Sequence, residues 1–300
     1  MIKKLTKAIR NPFWAFGVVL RRLVSKHIKS DRKFIKWEYF SGMGKFPNLD
    51  NPRTYNEKLQ WLKLNDIHPE YTELVDKVEA KKIVAEIIGE EHIIKTLGVW
   101  DRFEDINFDM LPDTFVLKTS HDSGGVAVCH NKSPETIQAA KKKIEKSIRN
   151  NYFLEHREYP YKNIKPRILA EELMVDESGT ELKDYKFFCF DGEPKMLFVA
   201  TDRPIDTRFD FYDMEWNHLP FKQGHPWATK EIKRPKGFEE MKRLAAKLSQ
   251  GFPHVRVDFY DINGKIYFGE LTFFHFSGNV PFEPEEWDYK IGEWLKVPIN

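Results

Sequence analysis

The spacing of apolar and polar residues changes period along this chain. Residues 30–75 read as polar helix, interrupted at Gly42, Gly44, Pro47, Pro52 and Pro69. Within them NPRTYNEKLQWLKL (51–64) carries a helix start, because Thr54 and Glu57 have capping-box spacing ahead of Leu59, Trp61 and Leu62. Residues 73–89 predict one amphipathic helix closed by Gly89, with Lys77 near its start. From 114 to 130 the pattern becomes strand, glycine-containing turn, strand; Phe115 and Leu117 point one way, Val116 and Lys118 the other. Residues 133–150 predict a basic helix with Ser133 as N-cap and Pro134 in the first position. A short apolar strand (167–174), a hairpin turning at Asp191-Gly192 (183–202) and an amphipathic helix (238–250) follow.

The pattern carries most chemical information between His254 and Gly278. Val255, Val257 and Phe259 alternate with His254, Arg256 and Asp258, and Asn263-Gly264 marks a hairpin turn. A two-residue turn there would set Glu270 on the face of Val255, Val257 and Phe259, which costs several kcal/mol for an unpaired carboxylate. A three-residue turn, Ile262-Asn263-Gly264 with Gly264 in αL, flips the returning strand. That register is the expectation. It groups Asp258, Glu270 and Thr272, sets Arg256 opposite Glu270, and leaves Val255, Val257, Phe259, Tyr267 and Leu271 on the other face. Two carboxylates so placed repel unless a cation joins them, and Mg²⁺ takes one or two carboxylates together with water and phosphates. On the hairpin alone, an exposed polar strand face carrying an Asp, a Glu and an Arg is the commoner reading.

Composition narrows the classes. The 300 residues carry a formal net charge of +2, against a general nucleic-acid binder. Cys129 and Cys189 lie in strand-like runs without CxxC spacing, against a zinc site and in keeping with a reducing cytoplasm. The apolar run Phe13 to Leu20 is too short for a bilayer span of ~20 residues. It is flanked by Lys3, Lys4, Lys7 and Arg10 before and by Arg21, Arg22, Lys26 and Lys29 after. Residues 1–29 therefore fit either an interfacial helix on an anionic inner leaflet or a helix docked on the protein's own body. His121-Asp122-Ser123-Gly124-Gly125 offers small residues and backbone N–H groups for phosphate, though it is no Walker A loop. The aromatic, basic loop 151–166 is long for a connection and hints at substrate contact, with Arg157 available to pair a carboxylate.

Together, NPRTYNEKLQWLKL, FVLKTSHDSGG, LKDYKFFCFDGEPK, FPHVRVDFYDINGKIYFGELTFF and PEEWDYKIG resemble the TupA-like branch of the ATP-grasp superfamily, linked to teichuronopeptide and capsular polysaccharide biosynthesis. The resemblance covers about residues 45 to 295. It implies an α+β ATP-grasp fold, two subdomains with mostly antiparallel sheets clasping ATP. Residues 1–70 would form a helical extension, 71–170 the N-terminal subdomain and 171–300 the C-terminal one. It implies that Lys77 and Lys118 hold the α- and β-phosphates, and that Ser123, Gly124 and Gly125 form the loop over them. Glu171, Glu172 and Leu173 would line the adenine hinge and Asp184 would take the ribose. Lys186 would approach the γ-phosphate or an acyl phosphate, with Arg256 near the transferred phosphoryl group. Asp258 and Glu270 would carry Mg²⁺. Thr272 stands where many members have Asn, which implies a weaker third ligand and room for one ion instead of two.

The implied reaction joins a carboxylate to an amine at the expense of ATP, on an anionic sugar or amino-acid substrate, in the cytoplasm or on the inner face of the membrane. This agrees with the lack of a nucleophile–base triad. Two other enzyme classes compete. A metal-dependent glycosyltransferase would be expected to show Asp-x-Asp, whereas Asp258-Phe259-Tyr260-Asp261 has the wrong spacing. A glycan kinase on the same nucleotide fold would release ADP without forming an amide.

Overall fold

The computed structural model describes residues 12–176, 182–202 and 206–298. Lys3, Lys4, Lys7 and Arg10 of the basic N-terminus lie outside the described residues, as do the side chains of Phe13, Trp14, Arg21 and Arg22. The helical segments that position the site are α1 (Pro12–Val19), α2 (Asp31–Met43), α3 (Tyr55–Asn65), α4 (Tyr71–Val75), α5 (Glu79–Ile88), α6 (Pro134–Ile148), α7 (Tyr152–His156), α8 (Phe238–Leu248) and α9 (Glu286–Trp294). Among the described residues no helix is long and apolar enough to cross a membrane.

Four strands form the first sheet: β1 (Thr96–Trp100), β2 (Phe115–Thr119), β3 (Val126–Cys129) and β4 (Ile168–Glu172), in the order β1-β4-β2-β3. Every neighbouring pair is antiparallel. The strand alternation does what the sequence expects. Phe115 and Leu117 turn to one face, where Ala127, Ile168 and Ala170 join Ala140 and Ile144 of α6 in a closed core. Ser133 caps α6 by accepting from the Thr136 amide at 3.3 Å.

The second sheet has five strands, β5 (Asp184–Phe190), β6 (Glu193–Thr201), β7 (Arg208–Asp213), β9 (His254–Ile262) and β10 (Lys265–Thr272), ordered β10-β9-β5-β6-β7 and again antiparallel throughout. Two-residue β8 (Lys222–Gln223) and β11 (Phe282–Glu283) pair with each other beside it. Phe187, Val257 and Leu271 form a row across β5, β9 and β10. This face packs on α8 through Phe238, Met241, Leu244 and Ala245. Burying an aromatic or aliphatic side chain this fully contributes about 1.5–3 kcal/mol each. On the opposite face Phe188 meets Phe198, Phe211, Tyr55 of α3 and two histidines, His254 and His275. α3 begins at the expected capping box, with Thr54 and Glu57 serving each other's backbone amides.

The hairpin reaches the expected facing by a different device. Ile262 pairs with Lys265, so the turn has two residues, Asn263 at φ 56° and Gly264 at φ 88°. The register then shifts between Phe268 and Glu270. Gly269 is the extra residue of a bulge, and that bulge flips Glu270 and Thr272 away from the core. An added Cβ at Gly269 would come within 3.1 Å of the Asp258 carbonyl oxygen, a close approach that suits glycine. Consequently Phe268, not Tyr267, faces Phe259 in the core, and Arg256 lies opposite Thr272 while Asp258 lies opposite Glu270.

A second correction concerns residues 73–89, which are two helices. Asp76 sits between α4 and α5 in an extended conformation, φ −70° and ψ 113°. Its carboxylate accepts from the Val78 amide at 2.9 Å and from Arg167 at 2.7 Å. The neighbouring Lys77 amide donates out of the helix to Ser120 O at 3.1 Å. Side-chain and long-range partners thus take the backbone away from the helix that periodicity predicts.

Candidate active site

Lys186, Asp258 and Glu270 occupy one cross-strand row of β5, β9 and β10. Lys186 Nζ binds the Asp258 carboxylate and lies 3.5 Å from Asp184. One row along the strands lies Arg256, buried in the sheet. Its Nε donates to Asp258 Oδ1 at 2.7 Å and its Nη2 reaches Asp258 Oδ2 at 2.8 Å, Glu270 Oε1 at 3.0 Å and Thr272 Oγ1 at 3.0 Å. Its Nη1 donates to His275 Nδ1 at 2.8 Å. That bond needs a neutral imidazole, and burial together with the Arg256 charge holds His275 far below its usual range. His275 therefore carries its proton on Nε2, which donates to Gln223 Oε1 at 3.0 Å.

The charges here are strongly coupled. Burial by itself would raise the Glu270 carboxyl, but Lys186, Arg256 and Lys77 outweigh it and hold it down at about 2. Burial pushes the Asp258 carboxyl upward against the pull of Arg256 and Lys186. The Glu270 side chain is 43% exposed, so an ionised carboxylate stands where a soluble ligand can reach it.

Lys77 belongs to the other sheet's surroundings. The break between α4 and α5 aims it at the glycine loop, where Nζ donates to Asp122 O at 2.6 Å. Burial lowers its ammonium, and Glu270 and Asp122 partly restore it. The loop from Ser120 to Gly125 closes on buried Asp122, whose carboxylate accepts from Thr119 and Ser147. Thr119 N donates to Gly125 O at 2.8 Å. Ser123 and Gly124 stand exposed at the tip, and Gly125 is tucked so close to Thr119 and Ser147 that a Cβ would meet both hydroxyls near 2 Å.

Lys118 and Glu171 share the face of the first sheet that α6 leaves uncovered, and they pair at 2.5 Å. Burial lowers the Lys118 ammonium, but Glu171, Glu270 and Asp184 together leave it raised. Glu171 also binds Lys81 of α5. Glu172 is further out, 3.7 Å from Lys95, and Leu173 follows in the connection after β4. Asp184 is buried at the start of β5.

Sequence reasoning missed Lys81, His275, Gln223 and Arg167. Lys81 was legible as the lysine one helical turn after Lys77. His275 had as its signal a lone imidazole in a run of phenylalanines just past β10. Gln223 and Arg167 had none, since each acts through contacts remote in sequence. In the other direction, Arg157 is not available to a substrate. It is buried in αL geometry, donates to the carbonyls of Ser25 and Ile28 at 2.6 and 3.1 Å, and pairs Asp31 at 2.9 Å.

Asp258 Oδ2, Glu270 Oε1 and Thr272 Oγ1 converge within 2.8–3.0 Å of Arg256 Nη2. Hard oxygen ligands with two carboxylates suit Mg²⁺ that completes its shell with phosphates. Among the described residues no group of three His, Cys, Asp or Glu forms a metal cluster.

Comparison with known proteins gives one match over most of the chain and several distant likenesses. Residues 57–296 match the TupA-like ATP-grasp family. No curated protein sequence matches. Among solved structures, a D-alanine–D-alanine ligase from Bacillus anthracis complexed with ATP is similar at 16% identity and TM-score 0.40, over 66% of this chain and 53% of that one. The ATP-grasp ligase PsnB complexed with minimal precursor, Mg and ADP is similar at 13% identity and TM-score 0.38, over 73% and 57%. A RimK domain protein from Sphaerobacter thermophilus is similar at 12% identity and TM-score 0.41, over 75% and 69%. The chain thus spans little more than half the length of the first two. The match over residues 57–296 carries the assignment: this α+β chain belongs to the TupA-like ATP-grasp family.

Proposed function

We propose that this protein is an ATP-dependent carboxylate–amine ligase that works through an acyl phosphate, in the assembly of a bacterial surface polysaccharide. The observation that carries the reading is electrostatic. Lys186 and Arg256 from one sheet and Lys77 and Lys118 from the other sheet's surroundings all act on the half-exposed Glu270 carboxylate. Fixed cations converging from two sheets suit a polyphosphate held between them.

In this reading Lys77, Lys118 and the Ser123-Gly124-Gly125 loop hold the phosphates, while Glu171, Glu172, Leu173 and Asp184 hold the nucleoside. Asp258, Glu270 and Thr272 would hold Mg²⁺, which supplies charge neutralisation on the phosphate oxygens. A substrate carboxylate oxygen attacks the γ-phosphorus and ADP leaves. An amine nitrogen then attacks the acyl carbon, phosphate departs and the amine loses a proton. Lys186 and Arg256 neutralise the charge that gathers on the transferred group, and His275 holds Arg256 in place. The two sheets serve as the clasping subdomains, divided as 71–170 and 171–300 with the last two residues of β4 crossing that boundary, behind a helical extension of residues 1–70. The use of ATP puts the reaction in the cytoplasm. The polysaccharide setting, and an anionic sugar or amino acid as the acid, rest on the family resemblance alone.

The test is trapping. The protein is incubated with ATP, Mg²⁺, hydroxylamine and a panel of uronic and amino acids. A ligase of this kind yields hydroxamate and ADP in equal amounts with at least one acid. ADP accompanied by a phosphorylated hydroxyl group and no hydroxamate would make it a kinase. Transfer from a UDP-sugar with no use of ATP would make it a glycosyltransferase.

A further inference from the structure

α1 reads PFWAFGVV and is apolar all round. A helix of that composition is ordinarily covered on every side. Here it packs on α2. Phe16 is 39% exposed, and Leu23 in the next turn is 65% exposed. α2 extends the same face. Its Phe34 and Ile35 are buried, while Lys33, Lys36 and Trp37 stand outward at the spacing of one helix face. Trp37 meets Phe16 at 5.9 Å and Phe46 at 5.1 Å, and Phe46 stacks on Phe40 at 4.8 Å. Trp37 and Phe46 are each nearly half exposed.

Charge is concentrated at the same end. Residues 1–46 contain twelve Lys and Arg against two acids, Asp31 and Glu38, which leaves 36 basic and 44 acidic residues in the remainder. Asp31 is paired with Arg157 and Glu38 is buried. Lys26, Lys29, Lys33 and Lys36 are exposed around the aromatic patch.

We infer that this face docks on an anionic phospholipid surface. Aromatic and aliphatic side chains settle at the headgroup boundary, and the surrounding lysines meet lipid phosphates. A second copy is a poorer occupant, because the face is basic on both copies and would bring like charges together. Arg157 joins this segment to the 151–166 loop through the carbonyls of Ser25 and Ile28 and lies 4.5 Å over the Phe34 ring. Docking would therefore orient the catalytic body as well as tether it.

The experiment is co-sedimentation of the full chain with vesicles of phosphatidylglycerol in phosphatidylcholine, and with phosphatidylcholine alone. The expected result is binding to the anionic vesicles, weakened by salt, with little binding to neutral ones. Lys33→Gln/Lys36→Gln, on exposed positions that leave the fold intact, should weaken binding roughly 25-fold, at about fivefold per lysine. Leu23→Ser should weaken it further. Equal binding to neutral vesicles, binding to neither, or an unchanged double variant would overturn the proposal. So would a concentration-dependent dimer in sedimentation velocity that Leu23→Ser abolishes.

Discussion

A guanidinium enclosed by two carboxylates, a hydroxyl and an imidazole has little water to fall back on. That is the position of Arg256, and lysine cannot copy it. An ammonium is a single point, whereas five planar N–H groups span Asp258, Glu270, Thr272 and His275 at once. Arg256→Lys should therefore lose about 3 kcal/mol of stability in urea unfolding. ATP-dependent turnover should fall at least ~100-fold. Near-normal turnover in the variant would remove Arg256 from the chemistry. A second residue-scale outcome concerns His254. Its Nδ1–H donates to Cys189 O at 2.9 Å and its Nε2 accepts from Tyr55 Oη at 2.9 Å, so the ring is neutral. Burial pulls it down to about 3. The unfolded chain binds this proton near pH 6.5 and the folded chain only near 3, so stability is complete above 6.5 and declines as pH falls toward 3. The slope for this residue is at most about 1.4 kcal/mol per pH unit. His254→Gln should flatten the pH dependence of unfolding in that window; an unchanged slope would contradict the neutral assignment. Arg256 and the paired acids were legible from strand alternation, but the contact of His275 with Arg256 was not, because it depends on the chain folding back after β10.

At the scale of elements, the cost of burying Glu270 was the right guide to facing and a poor guide to how facing is achieved. Energy arguments say which side a carboxylate must take. They do not say where the chain inserts its extra residue, and a turn or a bulge meets the requirement equally well. The structure puts it at Gly269. Gly269→Val should press its Cβ on the Asp258 carbonyl oxygen, 3.1 Å away, and cost about 1–3 kcal/mol, read as a lower urea midpoint. A variant as stable as the parent would show that the close approach at the bulge does not call for glycine. Deleting Gly269 would instead set Glu270 directly after Phe268 and still opposite Asp258. The same lesson holds at residues 73–89. Their apolar period is helical, yet Asp76 and Arg167 together break the helix and release Lys77 toward the loop. Periodicity registers the local pattern and cannot see a partner ninety residues away.

For the molecule as a whole, two antiparallel sheets with cations aimed at one carboxylate give the family assignment a physical counterpart. Strands β2 to β6, β9 and β10 could be read in order from the sequence, while β1 and β7 could not. The meeting of the two sheets could not, since Lys77, Lys118 and Glu270 are brought together only by the packing of both sheets. The 151–166 loop illustrates the same limit: its basic residue reads as substrate contact, yet Arg157 serves the N-terminal segment. The most direct measurement is calorimetric ATP binding with and without Mg²⁺, comparing the parent with Asp258→Asn/Glu270→Gln. The account expects binding that requires Mg²⁺ and weakens at least ~10-fold in the double variant. ATP binding indifferent to both metal and substitution, or no ATP binding alongside binding of a UDP-sugar, would contradict it.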